Sequence, residues 1–230
     1  MIVAVHQPQY LPWLGYFDKI RRADVFCYLD DVQYKKNDWQ NRNRIKTAQG
    51  WQWLTVPVHY RFPQKLNEVT INDAVNWKNK HLQTLVTNFN RAPFFREFAK
   101  LFEQIYSEDC KFLSDLNIAL IERIKAAFGL GQAPSVRSSE FSLSENPTDR
   151  LIDICKELKA DTYLSGQDGV KYMDLDRFKQ SGIQVVVQEF THPVYPQLFG
   201  EFQSHMSVVD LLFNCGPEGI ERIAEVNPIT

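Results

Sequence analysis

The first twenty residues constrain the fold more than any other stretch of the chain. Ile2-Val3-Ala4-Val5 is an apolar, β-prone run that stops at His6. Gln7 to Pro12 forms a loop with a proline at each end, and Trp13, Tyr16, Phe17 and Ile20 then recur at helical spacing. A strand, a loop and a helix in that order predict the first half of a βαβ unit. Val25-Phe26-Cys27-Tyr28-Leu29, closing on Asp30-Asp31, supplies the second strand. A right-handed crossover brings the ends of both strands to one edge of a parallel sheet, where α/β proteins hold ligands. His6 and Asp30 are therefore expected to face one another there, His6 moving a proton and Asp30 orienting it.

Bulk properties narrow the class. A chain of 230 residues suits one α/β domain with a sizeable insertion. Twenty-six basic against twenty-eight acidic residues give a net charge of −2, so no long-range field draws in nucleic acid or an anionic membrane. The expected partner is a small molecule. Cys27, Cys110, Cys155 and Cys215 lie far apart without metal-ligand spacing and read as reduced, mostly buried thiols. No basic leader precedes the first apolar run, and no stretch reaches the ~20 apolar residues that cross a bilayer. A soluble, cytoplasmic protein without membrane insertion is the expectation.

From Gln33 to Lys46 the chain is basic and rich in amides, and reads as a loop. Lys35 and Lys36 suit solvent. Two arginines, amides and a tryptophan are costly surface, so Trp39 is expected to stack on a base or sugar while Asn41, Arg42 and Arg44 hold phosphate. Trp51 to Val58 predicts a strand closed by Pro57, and a short strand follows at Val69-Thr70-Ile71. Apolar stripes predict helices over Asn76 to Phe89, Phe94 to Tyr106 and Leu113 to Phe128. This block divides the chain into an α/β core, 1–75 and 133–230, and a helical insertion, 76–132. Trp77, Lys78 and His81 share one side of its first helix and could reach the rim of a site.

The last third returns to α/β alternation. Asn146-Pro147-Thr148-Asp149 starts a helix, Thr162-Tyr163-Leu164 is a strand, Val170 to Gln180 a helix, and Ile183 to Val187 a strand. His192 to Gln197 is irregular, Met206 to Phe213 is a core helix, and the tail beyond Gly216 shows no pattern. Ser165, Gly166 and Gln167 form a short loop that can present amides to an anion, with Tyr172 just beyond it. Gln7, Gln9 and Tyr10 complete the candidate binding set. No Gly-x-Ser-x-Gly elbow surrounds Ser165, and no histidine or cysteine spacing suggests a metal.

His6-Gln7-Pro8-Gln9-Tyr10-Leu11-Pro12-Trp13-Leu14-Gly15-Tyr16-Phe17, Trp39-Gln40-Asn41-Arg42-Asn43-Arg44-Ile45-Lys46, Trp77 to His81, Tyr163-Leu164-Ser165-Gly166 and Ser207 to Asn214 together resemble the WbqC-like family, almost end to end. That family resembles products of bacterial O-antigen and surface-polysaccharide gene clusters. The resemblance implies a glycine or other aminoacyl transferase that decorates a sugar. A more distant resemblance is to the nucleotidylyltransferase-like superfamily that includes pantothenate synthetase. It implies a three-layer, mainly parallel sheet of the nucleotidylyltransferase/HUP-like kind, with ATP or a nucleotide sugar as substrate. That superfamily opens its first helix with a His/Thr-x-Gly-His motif that binds ATP phosphates. Here the tetrad is Trp13-Leu14-Gly15-Tyr16, which keeps the glycine and replaces both polar positions with aromatics.

The expectation is an amide-forming acyl or aminoacyl transferase acting on a nucleotide-linked or lipid-linked sugar. A non-catalytic nucleotide-sugar or protein-binding module and a nucleotidylyltransferase stand as alternatives.

Overall fold

The computed structural model describes residues 1–229. Its centre is a parallel sheet of five strands: β1 (Ile2–His6), β2 (Val25–Tyr28), β7 (Ser135–Arg137), β8 (Thr162–Gly166) and β9 (Gln184–Gln188). They stand in the order β7-β2-β1-β8-β9. The chain builds outward from β1 in one direction, then returns to its other side. The turning point lies between β1 and β8.

Side-chain alternation explains why helices cover both faces. Ala4, Phe26, Tyr28 and Leu164 point into one core with Leu14, Phe17 and Ile20 of α1 (Leu14–Arg22). That core also takes the inward faces of α2 (Trp77–Phe89), α3 (Phe95–Ser107), α4 (Leu113–Ala127) and α7 (Val208–Cys215). Val3, Val5, Cys27 and Tyr163 point the other way, onto Ile152, Ile154 and Cys155 of α5 (Pro147–Glu157) and Phe178 of α6 (Leu175–Gln180). The result is the three-layer α/β architecture expected from the sequence. All four cysteines are free thiols, and three of them are buried.

The two central strands and the three helices of the middle block stand close to their predicted spans. Elsewhere the structure departs from the reading. Gln33 to Lys46 is not all loop: β3 (Arg42–Thr47) pairs antiparallel with β4 (Gly50–Thr55), placing Arg44 opposite Trp53 and Ile45 opposite Gln52. Its period-2 pattern was hidden because Arg42 and Arg44 face outward while one inward position is the polar Asn43, buried by bonding the Leu11 carbonyl at 2.7 Å. The strand read as Trp51 to Val58 breaks after Thr55, and β5 (Val58–His59) pairs with β6 (Thr70–Ile71). The helix expected over Val170 to Gln180 begins at Leu175, because the Asp174 carboxylate accepts from the Asp176 and Arg177 amides and caps it there. The edge strand β7 and the terminal helix α8 (Gly219–Val226) were not anticipated. No helix among the described residues is long and apolar enough to cross a membrane.

Candidate functional site

In open α/β sheets, adjacent crossovers on opposite sides leave a crevice at the carboxyl ends of the strands where their direction reverses. The corresponding position here holds a cavity of about 580 Å³. His6 and Gln7 from the end of β1 form its floor, Gly15, Tyr16 and Lys19 of α1 one side, and Ser165 to Gly169 after β8 the other. Gln188 at the end of β9 and the irregular segment carrying Phe190, His192 and His205 complete the wall.

Lys19 is the feature with the clearest chemical consequence. It stands three residues beyond Tyr16 on the buried side of α1 and is 5 % exposed. Among the described residues it has neither an ion-pair nor a hydrogen-bond partner, and burial alone pushes its ammonium down to about 8. Neighbouring Asp18 does not neutralise it, since that buried carboxylate is occupied by Arg21 and Arg22, each at 2.8 Å, and by Gln188 at 2.7 Å. The ammonium sits against Gly166: a Cβ there would lie 3.2 Å from Nζ. A larger residue at 166 would crowd the amine.

His6 is held neutral beside it. Burial lowers the imidazole to about 3, with the Lys19 charge adding to the effect and a hydrogen bond to the Gln7 carbonyl opposing it. That bond, Nδ1 to Gln7 O at 3.1 Å, requires the proton on Nδ1, because a carbonyl only accepts. Nε2 is left as the acceptor. The ring packs on Tyr16 at 4.8 Å between centroids, and Tyr16 donates to the same Gln7 carbonyl at 3.2 Å. On the opposite wall Trp13 stacks nearly parallel to His205, 13° between planes, and meets Phe190 edge-on. His205 is anchored by its amide, which donates to His192 Nε2 at 3.0 Å. The cavity thus joins one unpaired cation, one neutral imidazole and an aromatic wall. It suits an anionic ligand with a flat or apolar part. Among the described residues no three His, Cys, Asp or Glu side chains gather as metal ligands.

Residues 7–222 match the WbqC-like protein family. The chain belongs to that family. Rv1507c of Mycobacterium tuberculosis, described as an uncharacterized protein, is 40% identical over 220 residues, covering 94% of each chain. No solved structure matches.

The structure of this WbqC-like chain brings His6, Gln7, Ser165, Gly166 and Gln167 together in the cleft and places the other candidates elsewhere. Asp30 does not orient His6. It is 1 % exposed and engaged by Ser138 and Ser139, whose hydroxyls donate at 3.2 and 2.8 Å, with the Ser139 amide at 3.0 Å. The parallel edge was inferred correctly, but β7 and the turn after it cover that carboxylate. Tyr10 and His81 are buried in the core, bonded to each other at 2.8 Å, with Tyr106 and Trp77 against them. Trp77 donates its indole N–H to Asp73 and does not reach the cleft rim. Gln9 is buried, and Asn41 donates to the Val56 carbonyl at 3.0 Å. Tyr172 is 84 % exposed and outside the cleft. Trp39, Arg42 and Arg44 form a separate cluster on the β3–β4 hairpin.

Sequence reading missed Lys19, Gln188 and the aromatic wall. A signal existed for Lys19: it is a charge within the apolar stripe of the first helix. None existed for Gln188, because only the sheet order places β9 beside β8.

Proposed function

We propose that this protein is an acyl or aminoacyl transferase that forms an amide on a sugar, taking a phosphate- or carboxylate-bearing substrate into the cleft between β1 and β8. The unpaired Lys19 ammonium carries this reading. A buried cation without a partner is costly, and an anion in the cleft would relieve that cost. The reaction class rests on the family resemblance to surface-polysaccharide enzymes, acting in the cytoplasm. In the reaction the acceptor amine attacks the activated carbonyl, a C–N bond forms, and the bond to the leaving group breaks. The amine proton passes to His6 Nε2. Burial would still hold the imidazole low, but anion binding at Lys19 would offset the smaller, electrostatic part of the depression and so make His6 a better base. The Trp13 and His205 wall would hold the sugar or base.

Isothermal titration with UDP-sugars, ATP and aminoacyl donors tests this. The expected result is micromolar-range binding of one nucleotide-linked ligand, weakened at least tenfold by Lys19→Met, with turnover abolished by His6→Gln. Equal affinity in the Lys19 variant would refute the site.

A second reading is favoured by the depth of the His6 depression: a binding module that moves no proton. Unchanged cellular function in His6→Gln would select it. Nucleotidylyl transfer is disfavoured by Trp13 and Tyr16 at the positions of the phosphate-binding tetrad.

A further inference from the structure

The outer face of the β3–β4 hairpin carries three indoles and two guanidiniums that no step in the cleft uses. Trp39, Trp51 and Trp53 are 36, 46 and 37 % exposed and lie with neighbouring centroids 5.5 Å apart. Arg42 lies over Trp53 at 4.3 Å, and Arg44 stands between Trp51 and Trp39 at 5.2 and 5.4 Å. The strand period of two puts Arg42 and Arg44 on this face together, while Ile45 and Leu54 fill the core behind it. Neither arginine has a carboxylate partner among the described residues, and the Nε atoms of both are buried without an acceptor. Indole stacking fixes the guanidiniums without neutralising them.

The patch also touches the cleft. Arg44 donates to the carbonyl of His205, which lines the cavity, at 3.4 Å. Trp39 accepts the Tyr10 amide through its carbonyl at 3.1 Å, and the next residue, Gln40, bonds Gln7 of the cleft floor at 2.7 Å.

We propose that this face binds an acidic saccharide chain, its carboxylates received by Arg42 and Arg44 and its apolar sugar faces laid on the exposed indoles. The inference deepens the saccharide reading of the cleft and rests on it: the acceptor would extend from the cleft across Arg44 onto the hairpin. Two chemical features select this occupant. Two partly exposed guanidiniums without a carboxylate partner among the described residues favour an anionic group. The indoles offer flat, electron-rich faces to the C–H bonds of a sugar ring, with a polar N–H at the edge. A single-stranded nucleic acid also stacks on aromatics beside arginine; the saccharide is selected because it continues the sugar acceptor of the cleft, and the oligothymidylate arm of the test separates the two.

The test titrates the full-length protein by calorimetry with a linear oligogalacturonate, a neutral maltooligosaccharide of equal length and an oligothymidylate. Oligogalacturonate should bind, with affinity falling as salt rises. The neutral chain should bind at least tenfold more weakly. Trp51→Ala, at the most exposed indole, and the pair Arg42→Gln with Arg44→Gln should each weaken oligogalacturonate binding at least tenfold, with circular dichroism confirming the fold. Absence of binding, equal binding by the hairpin variants, or tighter binding of oligothymidylate would overturn the proposal. Loss in Lys19→Met with intact hairpin variants would place the saccharide in the cleft alone, sinking this inference while sparing the proposed function. Loss in the hairpin variants, with Lys19→Met still binding nucleotide-linked ligands normally, would do the reverse.

Discussion

At the scale of single residues, burial of Lys19 and His6 makes stability depend on pH in both the alkaline and the acid range. The folded Lys19 titrates near 8, against 10.5 when free in the unfolded chain, so its charged form is destabilising at neutral pH. Lys19→Met should therefore stabilise the protein by about 1–3 kcal/mol at pH 7, a gain that fades as pH rises from 8 towards 10.5. Thermal melts across that range would check it, and a lower melting temperature at pH 7 would contradict it. His6 gives the opposite limb. Its folded value of about 3 lies below the ordinary imidazole value of 6.5, so the unfolded state binds more protons between them, and stability falls on acidification through that window. His81, lowered to about 4 by burial, acts in the same direction, while buried Asp210, raised to about 6, opposes both. His6→Gln should flatten the acid limb between pH 6 and 4 by up to about 1.4 kcal/mol per pH unit. Chemical denaturation at each pH measures that slope.

At the scale of elements, the start of α1 is fitted to Trp13. A Cβ on Gly15 would stand 2.3 Å from the Trp13 indole, which is confined on its other sides by His205 and Phe190. Gly15→Ala should therefore push the indole out of place, costing about 1–3 kcal/mol and loosening the cleft wall. Altered near-ultraviolet dichroism with reduced ligand affinity would be the readout, and an unchanged spectrum would count against this fit. The same glycine shows how far element-level reading reaches. The first strand, the first helix and the junction between them were legible from apolar spacing. The hairpin strand β3 was not, because Asn43 is buried through a hydrogen bond to Leu11, a compensation that no periodicity reports.

At the scale of the whole molecule, a polar knot at Asp18 ties distant parts of the chain together. Its fully buried carboxylate binds Arg21, Arg22 and Gln188, so it links α1 to the end of β9. Arg22 also donates to the Asn227 carbonyl at 3.1 Å, just beyond α8. Asp18→Ala would leave two guanidiniums unpaired and Gln188 unpinned. The expected loss is about 2–4 kcal/mol, at or below the range for a fully buried pair because both arginines keep some solvent contact. Urea unfolding should show a lowered midpoint with an unchanged slope. Affinity at the cleft should fall as well, since Gln188 also bonds the Gly15 carbonyl at 3.0 Å.

The strand-loop-helix opening, the parallel α/β class and the edge at which His6 stands were legible in the residues alone, because these depend on local spacing and on the handedness of one crossover. It also pointed to Ser165 and Gly166, through a strand end followed by a turn. Which groups meet there depends on contacts between distant parts of the chain. The order β7-β2-β1-β8-β9 puts β8 against β1 and β9 beyond it, and so brings Gln188, His192 and His205 to a helix more than 160 residues away in sequence. It withdrew Asp30 behind Ser138 and Ser139, sent Tyr10 and His81 into the core, and set Arg42 and Arg44 on a separate face. Lys19 marks the division most sharply. Its place on the apolar stripe is written in the first twenty residues, but its lack of a partner among the described residues depends on where Asp18 turns. That choice is made by Arg21 and Arg22 one turn along and by Gln188 from the far side of the sheet.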